Sequence, residues 1–384
     1  MVLEITTRGS PRDRGLDQGE QLAERIKQAK HGVFHSDLFK QMKPWWAPVW
    51  LAVAGLSMIG KGKTKKHVEK YLPVQHEKML GLAEGAHLKK RLVYGLHYVE
   101  VMSGDPRTSY EKPLIQPMCT MAFALPPSTT GDDAIFGRNY DFPGILQPYQ
   151  VLRREEPDDD RFSTLSLTQF PLVGSHVGLN EKGLLIGYNY GRSWKQDPLD
   201  YRKEGVPNML LLQEALETCS SVQQVVDFVT TFPARTNGGH FGVVDRENNA
   251  TVIEFTATRH ALRHPVDGIM VQTNMYQTPE LSDANVPDDL MWKFKDMRIP
   301  YTKSPKERFS RASELMENGK GALTMDALQE VLSDHAGREG DDFTVCVHGL
   351  TGETLACTII NPRSGLIRVT DTNPCHGTFE EFSF

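Results

Sequence analysis

The feature that most limits what this chain can fold into is a change of texture at residues 105–118. The stretch DPRTSYEKPLIQPM holds three prolines and no helical period, so it reads as an exposed linker that no regular element crosses. Before it the sequence is mainly helical. Ser10 is placed to cap a helix, Pro11 suits the first turn, and Leu22, Ile26, Ala29 and Val33 recur at spacings of four and three. Further helix is predicted within 66–104, where HEKMLGLAEGAHLKKRLVYGLHYVEVMSG is rich in helix formers.

After the linker, strands dominate. TMAFAL (120–125) and AIFGRNYDF (134–142) flank the turn-rich PPSTTGDD and predict a hairpin. GLLIGYNYG (183–191) follows a turn, and two more hairpins are predicted at HFGVVD/TVIEFT and LACTII/LIRVTD. Helices are expected at NMLLLQEALETC, at 221–229 with a Ser221/Gln224 capping box, near 306–318 and near 325–333. This order predicts an α+β fold of antiparallel sheets with helices outside, and two parts, 1–118 and 119–384. Asn180 in GLNEKG reads as a turn residue.

Composition narrows the partners. The formal charge of −6 gives no positive field for a phosphate backbone, so nucleic acid is excluded as a natural partner. The five cysteines form no CxxC pair and the 13 histidines no HExxH or triad motif, so no metal, cofactor or disulfide framework is signalled. An odd cysteine count, with an opening MVLEITTRGSPRDRG that has no apolar signal core, leads us to expect a cytoplasmic protein.

The segment WWAPVWLAVAGLSMIG (45–60) has no charge and holds three of the five tryptophans, and it runs into the basic KGKTKKH. It falls short of the ~18 apolar residues of a transmembrane helix. The expectation is a buried helix followed by a solvated lysine loop, with weak contact to a membrane surface as the alternative.

Cys119 opens the first strand after the linker. Cleavage before it would make it an N-terminal residue whose α-amine, of reference pKa roughly 7.7–8.0, serves its own thiol as base, so no histidine is required. CTMAFALPPSTTGDDAIFGRNYDF resembles the start of the mature chain in choloylglycine hydrolases and penicillin V acylases. Upstream, RGSPRDRGLDQGEQLAERI and GLAEGA are similar to the pro-region of a branch typified by acyl-coenzyme A:6-aminopenicillanic acid acyltransferase, and VGLNEKGLLIGYNYG, MVQTNMY and KERFSRASEL follow in that family's order.

The resemblance implies an N-terminal nucleophile (Ntn) hydrolase with an αββα sandwich, made as a precursor that cuts itself between Met118 and Cys119 into a helical pro-region and a catalytic chain held as a heterodimer. It implies Cys119 as nucleophile, Arg138 beside its sulfur, Asp141 orienting its amine, Asn189 and Asn274 as oxyanion donors, and Arg308 completing the network. A thiolate beside Arg138 is expected to have a lowered pKa. Met118 stands where that branch leads one to expect glycine. The implied reaction is hydrolysis of a small-molecule N-acyl amide. Acyl-coenzyme A-dependent transfer and a silent lipid- or peptide-binding fold are the alternatives.

Overall fold

The computed structural model describes residues 1–103, 118–195, 199–294, 297–349 and 352–384, with the side chains of 292–297 excepted. The linker predicted at 105–118 lies, up to 117, outside the described residues. The chain runs β1 (Glu4–Gly9), α1 (Pro11–His35), α2 (Asp37–Met42), α3 (Val49–Tyr71), α4 (Pro73–Gly85) and α5 (Lys90–Ser103). The β-rich part follows as β2 (Met118–Ala124), β3 (Ile135–Phe142), β4 (Gln150–Pro157), β5 (Thr164–Gln169), β6 (Val177–Asn180) and β7 (Leu185–Gly191). Next come α6 (Asn208–Thr218), α7 (Val222–Thr231), β8 (Gly238–Val244), β9 (Ala250–Phe255), β10 (His260–Arg263) and β11 (Ile269–Gln272). A two-stranded ribbon, β12 (Met291–Phe294) and β13 (Met297–Pro300), leads to α8 (Lys303–Asn318), α9 (Met325–Leu332), β14 (Glu353–Asn361), β15 (Leu366–Thr370) and β16 (Glu380–Ser383).

Two sheets form, ordered β1-β4-β5-β6-β7-β8-β9-β10 and β11-β2-β3-β14-β15-β16, and every pairing in them is antiparallel except β1 with β4. The N-terminal part is therefore not purely helical, since β1 supplies an edge strand to the larger sheet. Alternation along the strands makes the layers. Met121, Phe123 and Phe136 point into a core shared with Leu165, Leu179 and Val252 of the other sheet. Their neighbours Ala122, Ala124 and Ile135 face α8 and α9 through Ala312 and Leu328. On the other side, Ile186 and Phe241 face α6, α7 and the N-terminal helices. The result is the expected αββα sandwich.

Local signals explain the elements. Ser10 caps α1 by accepting from Asp13 N–H, and Ser221 caps α7 by accepting from Gln224 N–H. The reciprocal bond of the α7 box goes one residue further back, from Ser220 N–H to Gln224 Oε1. Asn180 ties its turn as read, its Oδ1 accepting from Lys182 and Leu184 N–H.

The expectation for 45–60 is overturned. Trp45, Trp46 and Trp50 are 91, 64 and 71 % exposed, and the lysines beyond them continue helix α3 rather than forming a loop. Only a narrow stripe of α3, Ser57, Gly60, Thr64 and Val68, is buried. Backbone contact with α5 at Gly60 and Gly95 fills that stripe, leaving Ala52, Val53 and Leu56 half-buried and Trp50, Leu51, Met58 and Ile59 exposed. Among the described residues no helix is long and apolar enough to cross a membrane.

Candidate active site

The fold brings together all six residues singled out around the cysteine. Cys119 and Arg138 lie on the inner faces of neighbouring strands β2 and β3, and Asn189 projects from β7 of the facing sheet. The Arg138 guanidinium donates from Nη2 to Cys119 Sγ at 3.0 Å and from Nε to Asn189 Oδ1 at 3.2 Å. Asn189 spends its amide on Gln272 O at 2.8 Å, so it holds Arg138 with its oxygen and the β11 end with its nitrogen.

Asn274 follows β11 and accepts from Cys119 N–H at 2.9 Å while donating to Tyr190 O at 2.8 Å. Arg308, from α8, is wholly buried rather than a surface cation. It donates to Cys119 O at 2.7 Å, Thr120 Oγ1 at 2.8 Å and Asn274 Oδ1 at 2.8 Å. Asp141 faces Met118 across the hairpin. Its Oδ1 accepts from Thr354 Oγ1 at 2.6 Å, and its Oδ2 is buried with no hydrogen-bond partner among the described residues.

Burial dominates the electrostatics. It raises the Cys119 thiol above its ordinary value, and the nearby Arg138 only partly offsets this, which reverses the expected lowering. Burial likewise lifts Asp141 to about 6 against the pull of Arg308. Sequence reasoning missed His176 and Glu100. His176 stacks on Tyr140 with centroids 4.5 Å apart, and burial drops it to about 3, so it is neutral. Burial raises Glu100, on α5, to about 7, although Tyr188 Oη donates to it at 2.7 Å.

Cys119, Arg138, Tyr140 and His176 form the floor of a cavity of about 820 Å³ whose walls come largely from α1, α2, α3 and α5. The exposed Trp46, Leu51 and Ile59 also line it, so it reaches the surface. The apolar 45–60 segment noted in the sequence supplies part of this wall, through Trp46, Leu51 and Leu56, but the chamber as a whole is assembled from segments far apart in the chain. A second, small space of about 20 Å³ touches Met118, Asn274 and Arg308 and is bordered by Arg192 and Tyr301.

Residues 128–375 match the family of acyl-coenzyme A:6-aminopenicillanic acid acyl-transferase, which is more than half of the chain. The chain belongs to that family. It is accordingly an Ntn-hydrolase-superfamily protein of acylase type, as the motifs imply, and the matched span holds Arg138, Asp141, Asn189, Asn274 and Arg308 while Cys119 precedes it. No curated protein matches the chain.

Solved structures resemble it at low identity. A Caenorhabditis elegans N-acylethanolamine-hydrolyzing acid amidase ortholog has 16% identity and a TM-score of 0.45 over 64% of this chain and 93% of its own. A mutant of the conjugated bile acid hydrolase of Clostridium perfringens has 16% identity and a TM-score of 0.41 over 69% and 97%. Penicillin V acylase of Agrobacterium tumefaciens has 13% and 0.44 over 69% and 86%.

Proposed function

We propose that this acyltransferase-family protein cuts itself between Met118 and Cys119 and then hydrolyses amides whose acyl chain occupies the large apolar chamber. The observation that carries the reading is a thiol, 3.0 Å from a guanidinium nitrogen, on the floor of an apolar cavity of about 820 Å³. In self-cleavage the Cys119 sulfur attacks the Met118 carbonyl, the bond to nitrogen breaks, and water hydrolyses the resulting thioester. The freed nitrogen becomes an α-amine. In the uncut chain that nitrogen already donates to Asn274 Oδ1, and Asp141 Oδ2, 4.0 Å from Arg308 Nη1, accepts no hydrogen bond among the described residues, so both acceptors suit an added ammonium proton.

In turnover the amine takes the thiol proton as Sγ attacks the substrate carbonyl, then gives it to the departing amine; water hydrolyses the acyl-enzyme. Arg138 offsets part of the burial penalty on the developing thiolate, and Asn189 keeps it aimed. Asn274 retains a second amide hydrogen for the oxyanion. The two fragments stay together through a buried ion network. Arg14 and Lys78, from the N-terminal part, reach Glu155 at 3.1 and 2.6 Å and Glu217 at 3.3 and 2.8 Å, beneath the sheet that follows the cut.

Intact mass tests the reading. Wild type should yield residues 1–118 and 119–384, and Cys119→Ala should stay full length and inactive on a panel of N-acyl amides. An active enzyme with only the 384-residue mass would remove self-cleavage from the mechanism. The family's name favours a second reading, transfer from acyl-coenzyme A to an amine, for which Lys30 and Lys43 on the chamber lining offer charge to a phosphate. Incubation with acyl-coenzyme A and an amine acceptor separates the two.

A further inference from the structure

Four metal-binding side chains from distant stretches converge outside the active site. His335 follows α9, Cys346 and His348 lie in the loop before β14, and Cys375 lies between β15 and β16; one ligand atom from each falls within 4.8 Å of the other three. Cys346 is buried and the others are half-buried. Cys346 Sγ is 3.7 Å from Cys375 Sγ and 3.4 Å from His348 Nε2, which is 3.2 Å from Cys375 Sγ.

The three separations among Cys346, His348 and Cys375 are close to the edges of one face of a zinc tetrahedron, and His335 stands within 4.8 Å of all three. With Zn–S near 2.3 Å and Zn–N near 2.0–2.1 Å, tetrahedral zinc sets S···S at about 3.8 Å and S···N at about 3.6 Å. Thiol and imidazole make only weak sulfur hydrogen bonds to one another here, and His335 Nε2 is buried with no hydrogen-bond partner among the described residues. The surroundings fix the ligands as outer groups do in metal sites. Cys346 N–H donates to Asp334 O at 3.1 Å, and the Asp334 carboxylate is clamped by Arg311 at 2.8 and 2.9 Å.

We propose that His335, Cys346, His348 and Cys375 bind one zinc ion in a closed, structural Cys2His2 site. Four protein ligands leave no position for water or substrate, and two thiolates with two imidazoles select zinc over calcium or magnesium. Spacing alone signalled no metal, and it is the convergence of these four side chains in the fold that suggests one. The fold closes what the sequence spreads over forty residues and more. The site also steadies the catalytic strand from behind. Val345 O, beside Cys346, accepts from Asn139 Nδ2 of β3 at 3.0 Å. Val347 N–H donates at 2.9 Å to Thr354 Oγ1, the hydroxyl that donates to Asp141.

The test is metal content and cobalt spectroscopy on the full chain, kept reduced. Wild type grown with zinc should carry one zinc per chain. After chelation and Co2+ addition it should show the intense visible bands of tetrahedral cobalt with thiolate ligands. Cys346→Ser combined with Cys375→Ser should lose both signals, while Cys219→Ser, a buried cysteine outside the cluster, should keep them. If the double variant does not fold, alkylation of wild-type Cys375 is followed by peptide mapping, and chelation should raise its rate several-fold. A reduced chain that takes up neither ion, cobalt bands that persist in the double variant, or alkylation unchanged by chelation each overturn the proposal. So does a Cys346–Cys375 disulfide in the reduced preparation.

Discussion

The two faces of the N-terminal helical region are held in opposite ways. On one face, α1 and α4 touch backbone to backbone. A Cβ at Gly15 would lie 2.1 Å from Lys78 O and one at Gly81 would lie 2.1 Å from Arg12 O, so only glycine permits this approach. Beneath that contact Arg14 and Lys78 are locked onto Glu155 and Glu217, all at most 1 % exposed at the side chain. On the other face α3 presents Trp50, Met58 and Ile59 to solvent and walls the chamber with Ala52, Gly55 and Leu56. One face is a clamp and the other a wall. Helices that share an apolar core with the sheet, through Leu22, Ile26 and Leu82, thus add a buried charge network on one side and leave part of α3 to line a cavity on the other.

Breaking the clamp should have the largest effect. Burial works to raise the Glu217 carboxyl, yet Lys78 and Arg14 hold it well below its ordinary value. Glu217→Gln leaves those cations undercompensated and should cost ~3–5 kcal/mol, read as a lower denaturation midpoint and, in cut enzyme, as release of residues 1–118. An unchanged midpoint would show that the clamp contributes nothing net.

Next comes the site around Cys119, on the chamber that α3 walls. Asn274→Ala should lower kcat by ~10²-fold or more with KM little changed, a loss of ~2.7–4 kcal/mol of barrier, measured on enzyme already shown to start at Cys119. Full turnover in that variant would exclude Asn274 from oxyanion stabilisation.

On the chamber side, Glu100 of α5 is part of the lining and accepts from Tyr188 Oη. Burial raises its carboxyl from 4.5 to about 7, so in this window the folded chain holds a proton that the unfolded chain releases. Stability should therefore fall as pH rises from 4.5 to about 7, by roughly 3 kcal/mol from this group. Asp141, raised by burial from 3.8 to about 6, adds a slope of the same sign. Glu100→Gln should flatten the melting-temperature profile by its own share only. A profile as steep as wild type would mean that the carboxyl is not protonated in the fold.

The clamp and the wall were not equally legible in the sequence. Helix caps and hairpins follow from local signals and an α+β order of antiparallel sheets from their sequence, whereas the sandwich and the Arg138 and Asp141 places came from the family resemblance. The clamp left no local sign, since Arg14, Lys78, Glu155 and Glu217 come from four separate segments. The chamber showed only as the apolar 45–60 segment, expected to be buried. Tryptophans at 45, 46 and 50 look like core residues in composition, yet Trp45 and Trp46 precede α3 and Trp50 lies in its first turn, away from the contact α5 makes at Gly60. The net direction of the Cys119 shift was equally hidden, since burial depends on both sheets while Arg138 is visible from the hairpin alone. His335 and Cys375 come together only through the α9, β14 and β15 connections, so no spacing rule reaches them.

The smallest effect, and the one that isolates the wall, is expected from Gly55→Trp. Gly55 lines the chamber from the middle of α3, and a Cβ built there meets nothing within 4 Å. The substitution therefore adds bulk without a clash, and replacing a mid-helix glycine favours α3 itself, so the midpoint should hold or rise. What should change is the length of acyl chain that fits. Each methylene denied burial forfeits ~0.8 kcal/mol, so kcat/KM should fall progressively for longer N-acyl amides and stay level for the shortest, which reach Cys119 without touching α3. A series of amides sharing one amine and differing in acyl length reads this directly. If Gly55→Trp lowers activity equally at every length, the indole has disturbed the catalytic floor; if it changes nothing, the acyl chain lies elsewhere and α3 is a wall without a ligand.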